Sequence, residues 1–261
     1  MNEEEFENFI TAINGSFGGV GMVLSVDEKT GDVIVVSPIE ETPAQRAGIH
    51  PRDTIVKVND ENLDGKSLDD AVKLLRGEKG TKVTVYIRRQ DKEELLKFEL
   101  VRDDIRVTTV KHEVIDKNVG YIKITSFDSY TYDEFKLALD NLRRKGIKGL
   151  IVDLRNNPGG SLYESVKIAD EILGKGLIVY TEDRNKNKLE EYYSDENQIS
   201  VPMVVLINEN SASASEIVAG AIQDHKAGVL VGHKTFGKGS VQEVEPFENG
   251  TGMKLTIARY Y

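Results

Sequence analysis

The period of apolar and polar positions changes several times along this chain, and each change marks an element. Phe6, Phe9, Ile10 and Ile13 recur at helical spacing in an acidic stretch that Asn14-Gly15 stops, which predicts a short helix over residues 2–13. From Ser16 a glycine-rich run, F-G-G-V-G, leads into the apolar strand M-V-L-S, and residues 32–37 alternate as a second strand. Further on, Pro43 opens a short helix, Gly48 ends it in a left-handed turn, and residues 54–58 alternate again. Ser67 is placed to cap a helix running to Arg76. A turn at 77–80 precedes two alternating runs, 82–88 and 94–101, that read as paired strands.

The second half has a different texture. Residues 119–124 form a strand, and Thr131-x-x-Glu134 reads as a capping box opening a helix to about Lys145, with Phe135, Leu139 and Leu142 on one face. Gly149–Leu154 is an unbroken apolar run, as expected of a strand buried on both faces. The turn R-N-N-P-G-G follows, and Ser161-x-x-Glu164 caps the next helix. Strands are expected at 177–182, 202–207 and 228–231, the last two flanking a helix over 214–226. Strands alternating with helices predict an α/β layered core.

Size and charge narrow the function classes. A chain of 261 residues holds two domains of ordinary size, and no apolar run is long enough to cross a bilayer. The start, M-N-E-E-E-F, lacks the basic and apolar segments of a secretory signal. A formal charge of −10 argues against a nucleic-acid binder, which needs a basic face. The sequence has no cysteine, which excludes disulfides, thiolate catalysis and cysteine-bound zinc, and its four histidines form no ligand-spaced pair, so no metal is expected.

Candidate chemistry concentrates between Asn208 and Gln242. The run N-S-A-S-A-S-E keeps small residues around Ser213, where a substrate backbone must come close. Ser213 also follows a buried strand and opens a helix, a place that favours developing negative charge. Lys238 lies 25 residues on, in F-G-K-G, beyond the next strand and able to return to the same edge. Together they suit a nucleophile and its general base. A lysine, with an ordinary pKa of about 10.4, must be uncharged to take the serine's proton. Gly237 and Gly239 are expected to let Lys238 enter an apolar slot beside Phe236. The N–H groups of the Pro158-Gly159-Gly160 turn and of Ala214 are candidate oxyanion donors. Each feature has a structural reading too: Ser213-x-x-Glu216 is a capping box, and Lys238 can be an exposed turn residue. Two rivals are weaker. G-H-K-T-F-G-K fits the start of a phosphate loop, but Gly239 stands where Ser or Thr is required and a strand follows instead of a helix. A serine–histidine pair through His225 or His233 lacks the G-x-S-x-G elbow.

The order of elements over residues 16–102, with the signature P-A-x-x-A-G-I-x-P-x-D-x-I-x-x-V-N within it, resembles a PDZ domain of the type inserted in proteases. That resemblance implies a carboxylate-binding loop at Phe17, Gly18, Gly19, Val20 and Gly21, a pairing edge from Met22, and Arg76 at the end of the groove helix. With L-R-N-N-P-G-G, S-A-S-A-S-E-I and T-F-G-K-G-S-V-Q behind it, the chain resembles the carboxy-terminal processing (tail-specific) proteases. The resemblance implies a crotonase-like core over 103–261, with residues 1–15 as an N-terminal helical segment. It matches Ser213 to the nucleophile, Lys238 to the base and Gln242 to the residue that orients the lysine. Gly159, with Gly160 beside it, and Ala214 match the oxyanion donors, and Glu216 and Thr235 accessory positions. It further implies protein C-termini as substrates, a PDZ domain that gates activity, no cofactor and an extracytoplasmic location. It is compatible with a homo-oligomer in the full-length form. Because the last residues, K-L-T-I-A-R-Y-Y, read as a strand with no cap, the core is expected to be truncated. The competing expectation is a peptide-binding module without catalysis.

Overall fold

The computed structural model describes residues 1–196 and 199–261, which form two compact units: Ser16–Val107, and Met1–Gly15 with Thr108–Tyr261. Helix α1 (Glu3–Asn14) belongs to the second of these. Asn2 caps it through Glu5, and Gly15, at φ +70°, ends it.

The Ser16–Val107 unit holds β1 (Ser16–Gly19), β2 (Met22–Val26), β3 (Val33–Pro38), α2 (Pro43–Arg46), β4 (Thr54–Val58), β5 (Glu61–Asn62), α3 (Leu68–Leu75), β6 (Lys82–Arg88), β7 (Leu96–Val101) and β8 (Asp103–Arg106). Its main sheet runs β2-β3-β4-β6-β7, with β5 on β4, so β2 is an edge strand. Val33, Val35, Val83, Val85 and Ile87 alternate into the core against Ala71 and Leu75 of α3, the period-two burial expected from the sequence. Strand β8 pairs with β1, which carries this unit past Arg102 to Val107.

The other unit contains β9 (Val110–Ile115), β10 (Val119–Ile124), α4 (Thr131–Arg144), β11 (Gly149–Asp153), α5 (Leu162–Asp170), β12 (Gly176–Glu182), β13 (Lys188–Ser194), β14 (Met203–Ile207), α6 (Ala214–Asp224), β15 (Val229–Gly232), β16 (Ser240–Pro246) and β17 (Gly252–Tyr260). One sheet runs β15-β14-β11-β10-β9, parallel except at β9, and a second runs β13-β12-β17-β16. The mixed α/β core and the small β-rich unit are those expected. Asp153 is level with Leu206, and Ile207 with Gly232, so β11, β14 and β15 deliver their C-terminal turns to one edge. That edge is where open parallel sheets build their sites.

Local expectations differ from the structure at several points. Thr131 is the first helical residue of α4, not its cap, and the cap position is Tyr130. The Thr131 hydroxyl is fully buried against Thr109 and the Asp128 turn, and the Glu134 carboxylate takes the N–H groups of Thr109 and Val110. Partners from elsewhere in the chain outcompete the local reciprocal bonds. Strand β13 is absent from the expectation because K-L-E-E-Y-Y-S is largely charged; it lies at a sheet edge, with Leu189 and Tyr193 exposed. Among the described residues no helix is long and apolar enough to cross a membrane, and no cluster of side chains could hold a metal.

Asp53 is the most buried charge of the smaller unit, 1% exposed, and Arg89 grips both its oxygens at 2.8 and 2.7 Å. Burial pushes its carboxyl up, but the Arg89 hydrogen bonds and the His50 N–H outweigh that and hold it below the ordinary value of 3.8. Replacing Arg89 by Ala is expected to destabilise this unit by about 3–5 kcal/mol, because the carboxylate is left buried without its partner. A carboxyl held low in the folded state stabilises above its unfolded pKa and loses that contribution as pH falls through the folded value. Denaturant midpoints of parent and variant should therefore differ widely at neutral pH and converge below about pH 3.8.

Candidate active site

Three turns meet at the sheet edge, and backbone hydrogen bonds join them. In the S-A-S-A-S run, Ser211 donates to the Leu154 carbonyl at 2.7 Å and Ser215 to the Asn157 carbonyl at 3.0 Å. The Ala212 N–H also donates to Asn157, at 3.0 Å. Two of the three serines thus fasten the turn after β14 to the turn after β11. Ser213, between them, lines a cavity of about 330 Å³ and is 9% exposed. Its backbone stands at φ +54°, ψ −114°, where side-chain-bearing residues rarely settle.

Glu216 stands one turn into α6. Its carboxylate accepts the N–H of Ser213 at 2.8 Å, of Gly237 at 2.7 Å and of Lys238 at 2.8 Å. The loop after β15 is also held by Phe236 N–H to the Ser211 carbonyl at 3.0 Å and Tyr260 N–H to the Gly239 carbonyl at 2.9 Å. Lys238, half-buried, lines the same cavity as Ser213. The expected slot beside Phe236 is not there. That ring is 69% exposed, and the apolar walls are Ile178, Val179, Ile217 and Tyr260. Sequence adjacency misled, because the chain turns at Gly237 (φ +89°) and separates the two side chains.

The glycine turn needs its glycines. Gly159 sits at φ +99°, and a Cβ there would lie 2.6 Å from the Ala212 carbonyl oxygen and 2.8 Å from the Ser213 Cβ. Its N–H, however, donates to the Asn157 side-chain oxygen at 2.9 Å. Expected as an oxyanion donor, it is engaged in this state. The neighbouring Gly160 pairs with Phe127 through the bonds of its flanking residues, so its own N–H faces away from them. Among the described residues no hydrogen bond engages the N–H of Gly160 or of Ala214.

Asn157 was not among the expected site residues. Fully buried, it donates its amide to the Ile124 carbonyl at 2.9 Å and holds Gly159 as described. Asn157 before Pro158 in the N-N-P-G-G run was the available signal. Beneath the same turn, buried Asp153 accepts from the Tyr121 hydroxyl at 2.7 Å and from the Arg155 guanidinium at 2.9 and 2.7 Å. Burial alone would raise its pKa, but these bonds hold it below the ordinary range.

Gln242 lies on β16 with its amide 3.5 Å from the Thr256 hydroxyl, and Thr235 is half-buried on the loop before Gly237. Among the described residues no hydrogen bond joins Ser213 to Lys238, or Gln242 to Lys238. Lys254, on β17, stacks its ammonium over Phe9 at 4.9 Å; burial first, and the Lys238 charge second, lower its pKa. His225 is at the far end of α6, its ring against the Leu177 carbonyl at 2.8 Å, and a strand follows the 232–238 loop. Neither rival chemistry finds its geometry.

In the smaller unit, Phe17, Gly19, Val20, Gly21, Met22 and Arg76 line a groove of about 160 Å³. Leu24, Val72 and Leu75 complete it, and the Arg76 guanidinium lies 4.7 Å over the Phe17 ring. Gly18 does not line it. It is pressed against Gly77, whose carbonyl oxygen would be 2.2 Å from an added Cβ. The outer edge of β2 borders this groove, as strand addition requires.

A serine at a helix opening and a lysine on one cavity, in a chain with a peptide-groove unit, define a serine-peptidase core accompanied by a PDZ domain. The chain belongs to peptidase family S41, whose model matches residues 118–261, and a PDZ domain model matches residues 34–89. It is 40% identical over its whole length to the carboxy-terminal processing protease CtpA of Bacillus subtilis (strain 168), covering 55% of that protein. With a carboxy-terminal-processing protease of Bartonella bacilliformis it shares 37% identity, covering all of this chain and 61% of the relative. The chain thus spans little more than half the length of these relatives. Among solved structures it resembles a photosystem II D1 C-terminal processing protease, with a TM-score of 0.57 and 32% identity, covering all of this chain and 72% of that one.

Replacing Glu216 by Gln swaps one acceptor oxygen for an N–H₂ group that faces backbone donors. Such buried mismatches cost about 1–3 kcal/mol. The variant is expected to lower the melting temperature, because the loops carrying Ser213 and Lys238 lose part of the acceptor that joins them. Thermal melting of parent and variant side by side checks it.

Proposed function

We propose that the full-length protein is an endopeptidase that cuts other proteins near their C-termini, with Ser213 as nucleophile and Lys238 as general base. The observation that carries this reading is that both side chains line one cavity while Glu216 bonds the backbone N–H of each. In the acylation step the uncharged Lys238 amine takes the Ser213 hydroxyl proton as Oγ bonds to the scissile carbonyl carbon. The carbonyl oxygen becomes an oxyanion facing the Ala214 and Gly160 N–H groups, with Gly159 joining if Asn157 releases it. The Lys238 ammonium then gives its proton to the leaving amine as the C–N bond breaks. In deacylation water gives a proton to Lys238 and attacks the ester, and Ser213 recovers its proton on release of the acid.

Several features of the resting arrangement fit this scheme. The serine–lysine hydrogen bond, absent from the resting arrangement, forms when substrate is bound. Gln242, four residues past Lys238, exchanges Thr256 for the lysine amine in that state, and Thr235 supports the same loop. The PDZ groove takes the substrate's C-terminal residues by strand addition to β2, near Arg76, and its occupancy gates cleavage. That the relatives are carboxy-terminal processing proteases supports the reading. No cofactor takes part, and the protein acts outside the cytoplasm, as a homo-oligomer or alone.

The rival is a module that binds C-termini without cutting, favoured by the unclosed serine–lysine pair. Incubating a partly unfolded protein bearing an apolar C-terminus with parent, Ser213→Ala and Lys238→Ala distinguishes them by mass spectrometry. Cleavage by the parent that drops about 10⁴-fold or more in both variants is expected. Equal binding by all three with no cleavage would establish the module instead.

A further inference from the structure

The cavity that holds Ser213 extends well beyond it, along one face of α6. Ile217 and Ala221 line it, and so does Gly220 between them. Counted from Ser213, Ile217 is four residues on and Gly220 seven, or about 6 and 10 Å along the helix axis. Across from this face stand Ile178 and Tyr260. A side chain of one carbon reaching in from a carbonyl at Ser213 ends beside Ile217 and leaves the far part empty. A longer side chain reaches past Ile217 to Gly220, with Asp224 lining the cavity one turn further on.

Gly220 sits in the interior of a helix, where glycine is less stable than alanine. No close packing forces it: a Cβ at Gly220 would meet no atom within 4 Å beyond its own helix. By contrast, Gly159 and Gly160 have no room for one. The missing side chain at Gly220 therefore leaves open the volume that a substrate side chain can occupy.

We propose that Gly220 is the specificity-determining residue of this site, keeping the cavity deep enough for a long apolar or aromatic side chain on the residue that supplies the scissile carbonyl. This rests on the peptidase reading above and adds the substrate class. Filling the position with Leu shortens the cavity to the first turn, so that only small side chains remain accommodated. Apolar pockets discriminate by about 10–200-fold per methylene-sized change, which sets the scale of the effect.

The test uses the full-length protein and peptides identical except for Ala, Leu or Phe at that residue. In the parent, kcat/KM is expected to rank Leu and Phe above Ala by at least tenfold. In Gly220→Leu the order should reverse, with Ala cleaved at near-parent rate. Gly220→Ala should show a smaller shift in the same direction and melt about 2–4 °C higher, as a glycine replaced in an open helical position does. It carries the test if the Leu variant does not fold. Parent cleavage with no preference, or an order that stays put in the folded variants, overturns the proposal and leaves the peptidase intact. A uniform loss on all three peptides also overturns it. If the parent cleaves none of them, the peptidase reading itself falls, and the specificity proposal falls with it.

Discussion

Everything at this site depends on one carboxylate satisfied by backbone alone. Glu216 accepts N–H groups from Ser213, Gly237 and Lys238, residues up to 25 positions apart in the chain. These three bonds tie the first turn of α6 to the loop that carries Lys238. Among the described residues no side-chain cation pairs with it, the cavity's own lysine included. A motif that reads as an ordinary helix cap here also fixes the distance between two loops.

The second constraint is steric. Three parallel strands bring their turns level; Ser211, Ser215 and Asn157 interlock the turns after β11 and β14, and Glu216 ties in the loop after β15. Ser213 is forced to positive φ at the point where Gly159 packs against its Cβ. Strain of this kind persists only where the surroundings over-determine it, and here they do. Buried Asp153, held by Tyr121 and Arg155, braces the turn from below, and the core of the larger unit supplies the rigid frame. The glycines divide accordingly: Gly159 and Gly160 permit close approach, whereas Gly220 leaves space.

Much of this was legible in the sequence, and for physical reasons. The apolar run at 149–154, the caps at Ser67 and Ser161 and the alternation of the small unit are local signals, and the corresponding elements form. Ser213, Glu216 and Lys238 meet because parallel strands must end at a common edge, which spacing alone implies. What failed was decided at long range. Glu134 turned from its own helix to Thr109 and Val110, and Phe236 pointed away from its neighbour Lys238. Asn157 gave little signal because its role lies in where its two amide atoms go, to Ile124 and Gly159. Gly159 is a candidate from the free N–H of its turn, but that N–H is already engaged by Asn157.

The account stands or falls on whether the amine makes the alcohol reactive. The most direct measurement is the rate at which a serine-directed phosphonofluoridate labels the full-length protein, followed by intact mass and peptide mapping. One adduct is predicted, on Ser213, forming at least a hundredfold more slowly in Lys238→Met of unchanged melting temperature. Labelling of Ser211, Ser215 or another residue in place of Ser213, or an unaltered rate in that folded variant, would contradict it.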